Sequence, residues 1–267
     1  MDRLEQLENN GYFVRENVLS TSILDRLRAG LERATERCQD VQRNTGVGEF
    51  ANPPEPSLSG SAHHILTADA SFVDLLKEDL SLDIIEHYLG GKLILNNYGG
   101  FTNAPSTSTS TSYSHGLSIH RDVRTFTCDY GKQLVEVLVA LDDFTQSNGA
   151  TFFLPGSHLQ TEKPSEEVFF EHSSQAEMAA GSILVFDARL WHAAGENTDT
   201  LPRRALTIGF TRPFFKPQFD YCRAMGDENT LHLPEALRQL VGFNSRIPAS
   251  HEQWYQPGPR RFYKGDG

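Results

Sequence analysis

At Gly90-Gly91 the chain changes its periodicity, and that change limits the folds open to it more than any other feature. Upstream, apolar residues recur at helical spacing. Leu24, Leu27, Leu31 and Ala34 lie three, four and three residues apart and make one stripe, introduced by a capping residue, Ser20 or Thr21. A shorter amphipathic stretch runs from Asp2 to Glu8 before the Asn10-Gly11 turn, and a second helical region, ASFVDLLKEDLSLDIIEHYLGG, closes on the two glycines. Downstream, the runs KLILNNY, LSIHRD, QLVEVLVAL, TFFLP, SILVF and RALTIGFTR are short, β-type and bounded by turn residues. Helices first and many short strands later predict helices packed on one face of an antiparallel barrel or sandwich.

The length of 267 residues suits one domain with a sizeable core: a mainly helical part over 1–91, a β core over 92–215 and an extension over 216–267. Two segments read as irregular. VGEFANPPEPSLSGS, 47–61, has the composition of a surface segment or lid, and NAPSTSTSTSYSHG, 103–116, that of a polar loop leading into the next strand. A net charge of −11 argues against nucleic-acid or anionic-membrane partners, and the basic C-terminal run PGPRRFYKGDG reads as a solvated tail. Cys38, Cys128 and Cys222 are odd in number and lack CxxC spacing, so a disulfide framework or thiolate zinc site is not expected. No signal-peptide pattern and no run of 18 apolar residues is present, and a soluble, cytoplasmic protein is the expectation.

Within LSIHRDVRT, His120 and Asp122 are two residues apart, which in a strand puts both side chains on one face where they can serve one metal. The triplet alone is weak, since 10 histidines and 16 aspartates in 267 residues give an expectation of roughly 0.6 such triplets by chance. A third ligand is needed from a distant strand. His192 in GSILVFDARLWHAAGEN lies 70 residues beyond Asp122, and Arg203, 11 residues further, opens a buried-looking strand where a guanidinium needs an anionic partner.

This set resembles the Fe(II)/2-oxoglutarate oxygenases, and within them the phytanoyl-CoA dioxygenase family. The opening LENNGYFVRENVLSTSILDRLRAGLERA, the block SNGATFFLPGSH (147–158) and the block WHAAGEN…RRALTIGF are similar to that family's patterns, in the same order. The resemblance implies a mainly β fold with α, a double-stranded β-helix (jelly-roll, cupin-like) core with the N-terminal helices on one face. It implies Fe(II) held by His120, Asp122 and His192, 2-oxoglutarate paired with Arg203, O₂ as co-substrate, and oxidation of a small molecule with release of succinate and CO₂.

Thr151 is the expected hydroxyl donor to 2-oxoglutarate. The family often has glutamine three residues before the first histidine; Leu117 stands there, and Ser118, on the face of His120, takes over as a co-substrate contact. His158 reads as structural, at a strand exit after the Pro155-Gly156 turn. Asp122 implies hydroxylation or a related C–H oxidation, because halogenating relatives carry a small residue at that position. Candidate substrate contacts are Asn97 and Tyr98, beside Asn96, and Phe214 in RPFFKPQFDY, while Trp191 reads as packing. The alternatives are a cupin-like metalloenzyme that does not use 2-oxoglutarate and a catalytically silent metal-binding module.

Overall fold

A computed structural model describes residues 1–46, 60–106, 119–123 and 131–262. Ser118, Cys128 and most of both irregular segments lie outside the described residues. The N-terminal part contributes α1 (Arg3–Asn10), β1 (Tyr12–Arg15), α2 (Thr21–Thr45), β2 (Gly60–His63), α3 (Ala70–Leu75) and α4 (Leu82–Leu89). The β core follows with β3 (Ile94–Asn103), β4 (Leu134–Ala140), β5 (Phe152–Phe153), α5 (Glu166–His172), β6 (Ser174–Gln175), β7 (Ile183–Asp187), β8 (His192–Ala193) and β9 (Arg203–Thr211).

Six antiparallel strands form one sheet in the order β1-β7-β4-β9-β3-β2, and three form a second, β6-β5-β8. This is the expected two-sheet jelly-roll arrangement with helices on one face, and among the described residues it does not close into a barrel. The helices cover the outer face of the large sheet. Leu24, Leu27, Leu31 and Ala34 of α2 bury against Val135, Val137, Val139, Leu206, Ile208 and Phe210, which alternate along β4 and β9. Gly30 lets α2 approach α3, since a Cβ there would lie 2.7 Å from Ser71 Oγ.

The structure refines these expectations. Not all of the first 90 residues is helical: Tyr12–Arg15 pairs with β7 and Gly60–His63 with β3, each completing an edge of the large sheet. The second helical region holds two helices, α3 and α4, with Ser81 in a left-handed conformation (φ 61) just before α4; Gly90, at φ 76, ends α4 as expected. Of LSIHRD the described residues are 119–122, where His120 bridges to His192; Leu117 and Ser118 lie outside the described residues.

The C-terminal extension forms four short helices, α6 (Tyr221–Met225), α7 (Asp227–Leu231), α8 (Glu235–Leu240) and α9 (His251–Trp254). Residues of α6, α7 and α9, the 213–220 segment and the start of β3 line a cleft of about 740 Å³ that none of the metal-binding candidates lines. No described helix is long and apolar enough to cross a membrane.

Candidate metal centre

His192 is placed by β8, which pairs with β5 so that His192 lies opposite Phe153. Its ring stacks on Phe153 at 5.6 Å and meets Phe186 edge-on at 5.3 Å, and these two rings wall off one side of the imidazole. The Nδ1 atom lies 3.0 Å from the Leu190 carbonyl. A carbonyl only accepts, so Nδ1 carries the proton and Nε2 presents its lone pair. Burial lowers the pKa of His192, which favours the neutral form a metal needs; the Asp122 charge works against that and His120 with it.

His120 comes alongside through reciprocal backbone hydrogen bonds with His192, 3.0 Å each way, and Asp122 is fixed by its own N–H on the Ala188 carbonyl. The Nε2 atoms of His120 and His192 each lie 3.7 Å from a different oxygen of Asp122. One ligand atom from each of the three residues lies within 4.8 Å of the others. Two imidazoles and a carboxylate on one side of an ion leave the opposite positions open, the donor set of non-haem iron oxygenases. His192 is buried while His120 and Asp122 are exposed.

Arg121, between two of these ligands, points the other way. Its guanidinium donates to the carbonyls of Ser157 and Gln160 and sits 4.2 Å above the Trp191 ring. One side chain thereby ties the His120–Asp122 segment to the 155–160 turn and to the neighbour of His192. Trp191 is packing, as expected. His158 is structural, also as expected: it is buried, its ring Nε2 meets the Glu8 carbonyl at 3.0 Å, and a Cβ on Gly11 would lie 2.6 Å from its Nδ1.

Arg203 opens β9 on the inner face of the large sheet and is fully buried. Its Nε and Nη2 donate to the carbonyls of Asn148 and Gly149, and the guanidinium stacks on Phe144 at 4.1 Å. Gly149 at φ 79 makes this cradle possible, since a Cβ would lie 2.3 Å from the Gly195 carbonyl. Burial lowers the Arg203 pKa to about 10, against the opposing pull of Asp142, so it stays charged at neutral pH. Among the described residues no carboxylate comes within 4.0 Å of it, and its Nη1 has no hydrogen-bond partner. A buried cation with an idle donor is costly unless an anion completes it. Thr151, two residues past Gly149, is buried.

The substrate-side candidates separate. A bulge between Leu95 and Asn97 shifts the register of β3 so that Asn97 faces inward, where its Nδ2 reaches Glu136. Tyr98 therefore faces outward, because adjacent strand residues point to opposite faces; it is fully buried against Phe72 and donates to the Phe72 carbonyl, so it belongs to the core. Asn96 gives its carbonyl to Gln218. Phe214 is 87% exposed and lines the C-terminal cleft, so the structure does not bring it to the metal ligands.

Sequence reasoning passed over Arg121 and Glu136. The one signal for Glu136 was a lone acid in the apolar run QLVEVLVAL.

The chain belongs to the phytanoyl-CoA dioxygenase (PhyH) family, whose model matches residues 7–205. It is 35% identical over 258 residues to the uncharacterized protein Rv1501 of Mycobacterium tuberculosis, covering 96% of this chain and 92% of that one. It is 24% identical to the dioxygenase trt7 of Aspergillus terreus, covering 96% and 88%. Among solved structures it superposes on SnoN, a non-haem α-ketoglutarate-dependent epimerase from nogalamycin biosynthesis, with a TM-score of 0.60 at 16% identity, covering 79% of this chain and 80% of that one.

Proposed function

We propose that this chain is an Fe(II)- and 2-oxoglutarate-dependent oxygenase that oxidises a C–H bond of a small organic molecule, with hydroxylation as the outcome. One observation carries the reading: the His120–Asp122–His192 cluster, held by the small sheet, meets the inner face of the large sheet at Phe186, and that face also carries a buried, incompletely partnered guanidinium, Arg203. A cupin-type metal site that dispensed with a dicarboxylate would have no use for that arginine. SnoN has been crystallised with Fe³⁺, α-ketoglutarate and a nogalamycin derivative, which supports the assignment by likeness of fold.

In this reading His120, Asp122 and His192 hold the iron, and Arg203 pairs through Nη1 with the far carboxylate of 2-oxoglutarate, with Thr151 as the neighbouring hydroxyl donor. Ser118 keeps the co-substrate role assigned from sequence. Bound iron and 2-oxoglutarate together supply the oxidising power, O₂ being reduced as 2-oxoglutarate loses CO₂ to become succinate and a substrate C–H bond is oxidised. The chain holds the reactants in place and keeps water out, Phe153 and Phe186 doing so beside His192. Asp122 fills the position that halide requires in halogenating relatives, which favours hydroxylation. The test is iron-dependent formation of succinate from 2-oxoglutarate. Loss of succinate in His192→Ala supports the reading, and full succinate formation in Arg203→Ala returns the protein to the cupin-like alternative.

A further inference from the structure

Across the inner face of the large sheet, one row of paired residues runs Tyr12, Phe186, Glu136, Gly209, Asn97 from β1 to β3. Phe186 in this row touches the His192 ring, so the row lies level with the metal ligands, whereas Arg203 lies at the far end of β9. Asn97 and Glu136 stand on β3 and β4, with β9 between them, a separation of about 10 Å between backbones. Their side chains nevertheless meet, Asn97 Nδ2 lying 3.4 Å from Glu136 Oε2. They meet because Gly209 presents no side chain: a Cβ there would lie 1.8 Å from Asn97 Oδ1 and 2.7 Å from Glu136 Oε1.

The pair is expensive. Glu136 is 4% exposed and has no cation within 4.0 Å among the described residues, and the buried Asn97 Oδ1 has no hydrogen-bond partner there. A pair held only to join three strands would be better served by apolar side chains of the same volume. The oxygen left over beside a metal-ligand cluster, Asn97 Oδ1, calls for a donor from outside.

We infer that Asn97 and Glu136, meeting over Gly209, form the polar anchor of the substrate pocket and select a molecule carrying a hydrogen-bond-donating head group, a hydroxyl or an ammonium, over one with an apolar or anionic head. The anchor rests on the oxygenase reading only in making the bound molecule the substrate. The Asn97 amide and Glu136 carboxyl hold the head group, and the rest of the molecule extends toward the open side of the metal ligands. Glu136 and Asn97 are specificity-determining residues, distinct from the Arg203 cradle that the co-substrate occupies.

The test uses three probes of one shape, cyclohexanol, cyclohexylammonium and methylcyclohexane. Binding to the metal-free protein is measured by calorimetry and repeated with Fe(II) and 2-oxoglutarate present without oxygen. The expected result is that cyclohexanol or cyclohexylammonium binds about tenfold or more tightly than methylcyclohexane, a preference worth one well-made hydrogen bond. Asn97→Ala, Glu136→Ala and Gly209→Ala each erase that preference while Fe(II) affinity and the melting temperature of at least one of the three stay at the wild-type level. Glu136→Gln separates the head groups, keeping cyclohexanol and losing cyclohexylammonium. No preference in the wild type, or a preference that survives Asn97→Ala and Glu136→Ala, overturns the anchor. Absence of 2-oxoglutarate binding with the preference intact would instead remove the oxygenase reading and leave the anchor standing.

Discussion

The two faces of the six-stranded sheet are built from the same strands and do opposite work. Outward, Val135, Val137, Leu206, Ile208 and Phe210 are uniformly apolar and buried under the N-terminal helices. Inward, the alternate positions of those strands carry Glu136, Arg203, Gly209 and the approach to the metal ligands. The outer face therefore holds the stability and the inner face spends some of it on groups that are costly without a ligand. The comparison predicts that substitutions divide cleanly, inner ones altering binding and turnover, outer ones altering melting.

The largest effect belongs to the ligands. His192→Ala and Asp122→Ala are expected to lower Fe(II) affinity and succinate formation by orders of magnitude, with metal affinity read by competition against a chromophoric chelator. Arg203→Ala comes next: the 2-oxoglutarate concentration for half-maximal turnover rises about 100-fold, as expected when one side of a buried charge pair is removed. Both would leave the outer face intact, so a collapse of the fold in either variant would break the division.

On the outer face Ile208→Ala should cost about 3 kcal/mol of stability by leaving a cavity under the helices, measured by denaturant unfolding, with Fe(II) affinity unchanged. Arg121→Lys sharpens the boundary between the two, since it keeps the charge and loses the stacked, forked contacts to Trp191, Ser157 and Gln160. Its Fe(II) affinity should fall about tenfold, the scale of lost support behind a metal ligand.

The smallest effect lies farthest from the inner face. Asp69 caps α3 through the Ser71 N–H at 3.0 Å and pairs with Arg33. Asp69→Ala should cost about 1 kcal/mol and leave turnover unchanged. Burial raises the Asp69 pKa, but the hydrogen bonds from Arg33 and Ser71 outweigh it and hold the group at about 2, below its ordinary 3.8. A depressed carboxylate stabilises the fold above its unfolded pKa, so this contribution disappears as pH falls from about 4 toward 2, and pH titration of unfolding in wild type and variant checks the sign.

Much of this division was legible in the sequence because periodicity carries it. The α2 stripe and the β4 and β9 runs fixed the outer face, and His120, Asp122, His192 and Arg203 stood out as polar residues in β-type surroundings. What stayed hidden depends on single irregularities. The bulge before Asn97 decides that Asn97 and not Tyr98 faces inward, and no local propensity announces it. The break between α3 and α4, from Leu76 to a left-handed Ser81, interrupts a continuous helical pattern. Phe214, aromatic and close behind β9, reads as a pocket residue from sequence, yet its exposure is a matter of where the extension turns. Glu136 was camouflaged by the apolar run around it, and only the register across Gly209 shows what it meets.

The most direct measurement of the central claim is anaerobic addition of Fe(II) and then 2-oxoglutarate to the purified protein, followed in the visible spectrum. The account predicts a weak charge-transfer band in the wild type, absent in His120→Ala and His192→Ala, and reached in Arg203→Ala only at much higher 2-oxoglutarate. No band in the wild type, or a band unchanged in His120→Ala, would contradict it.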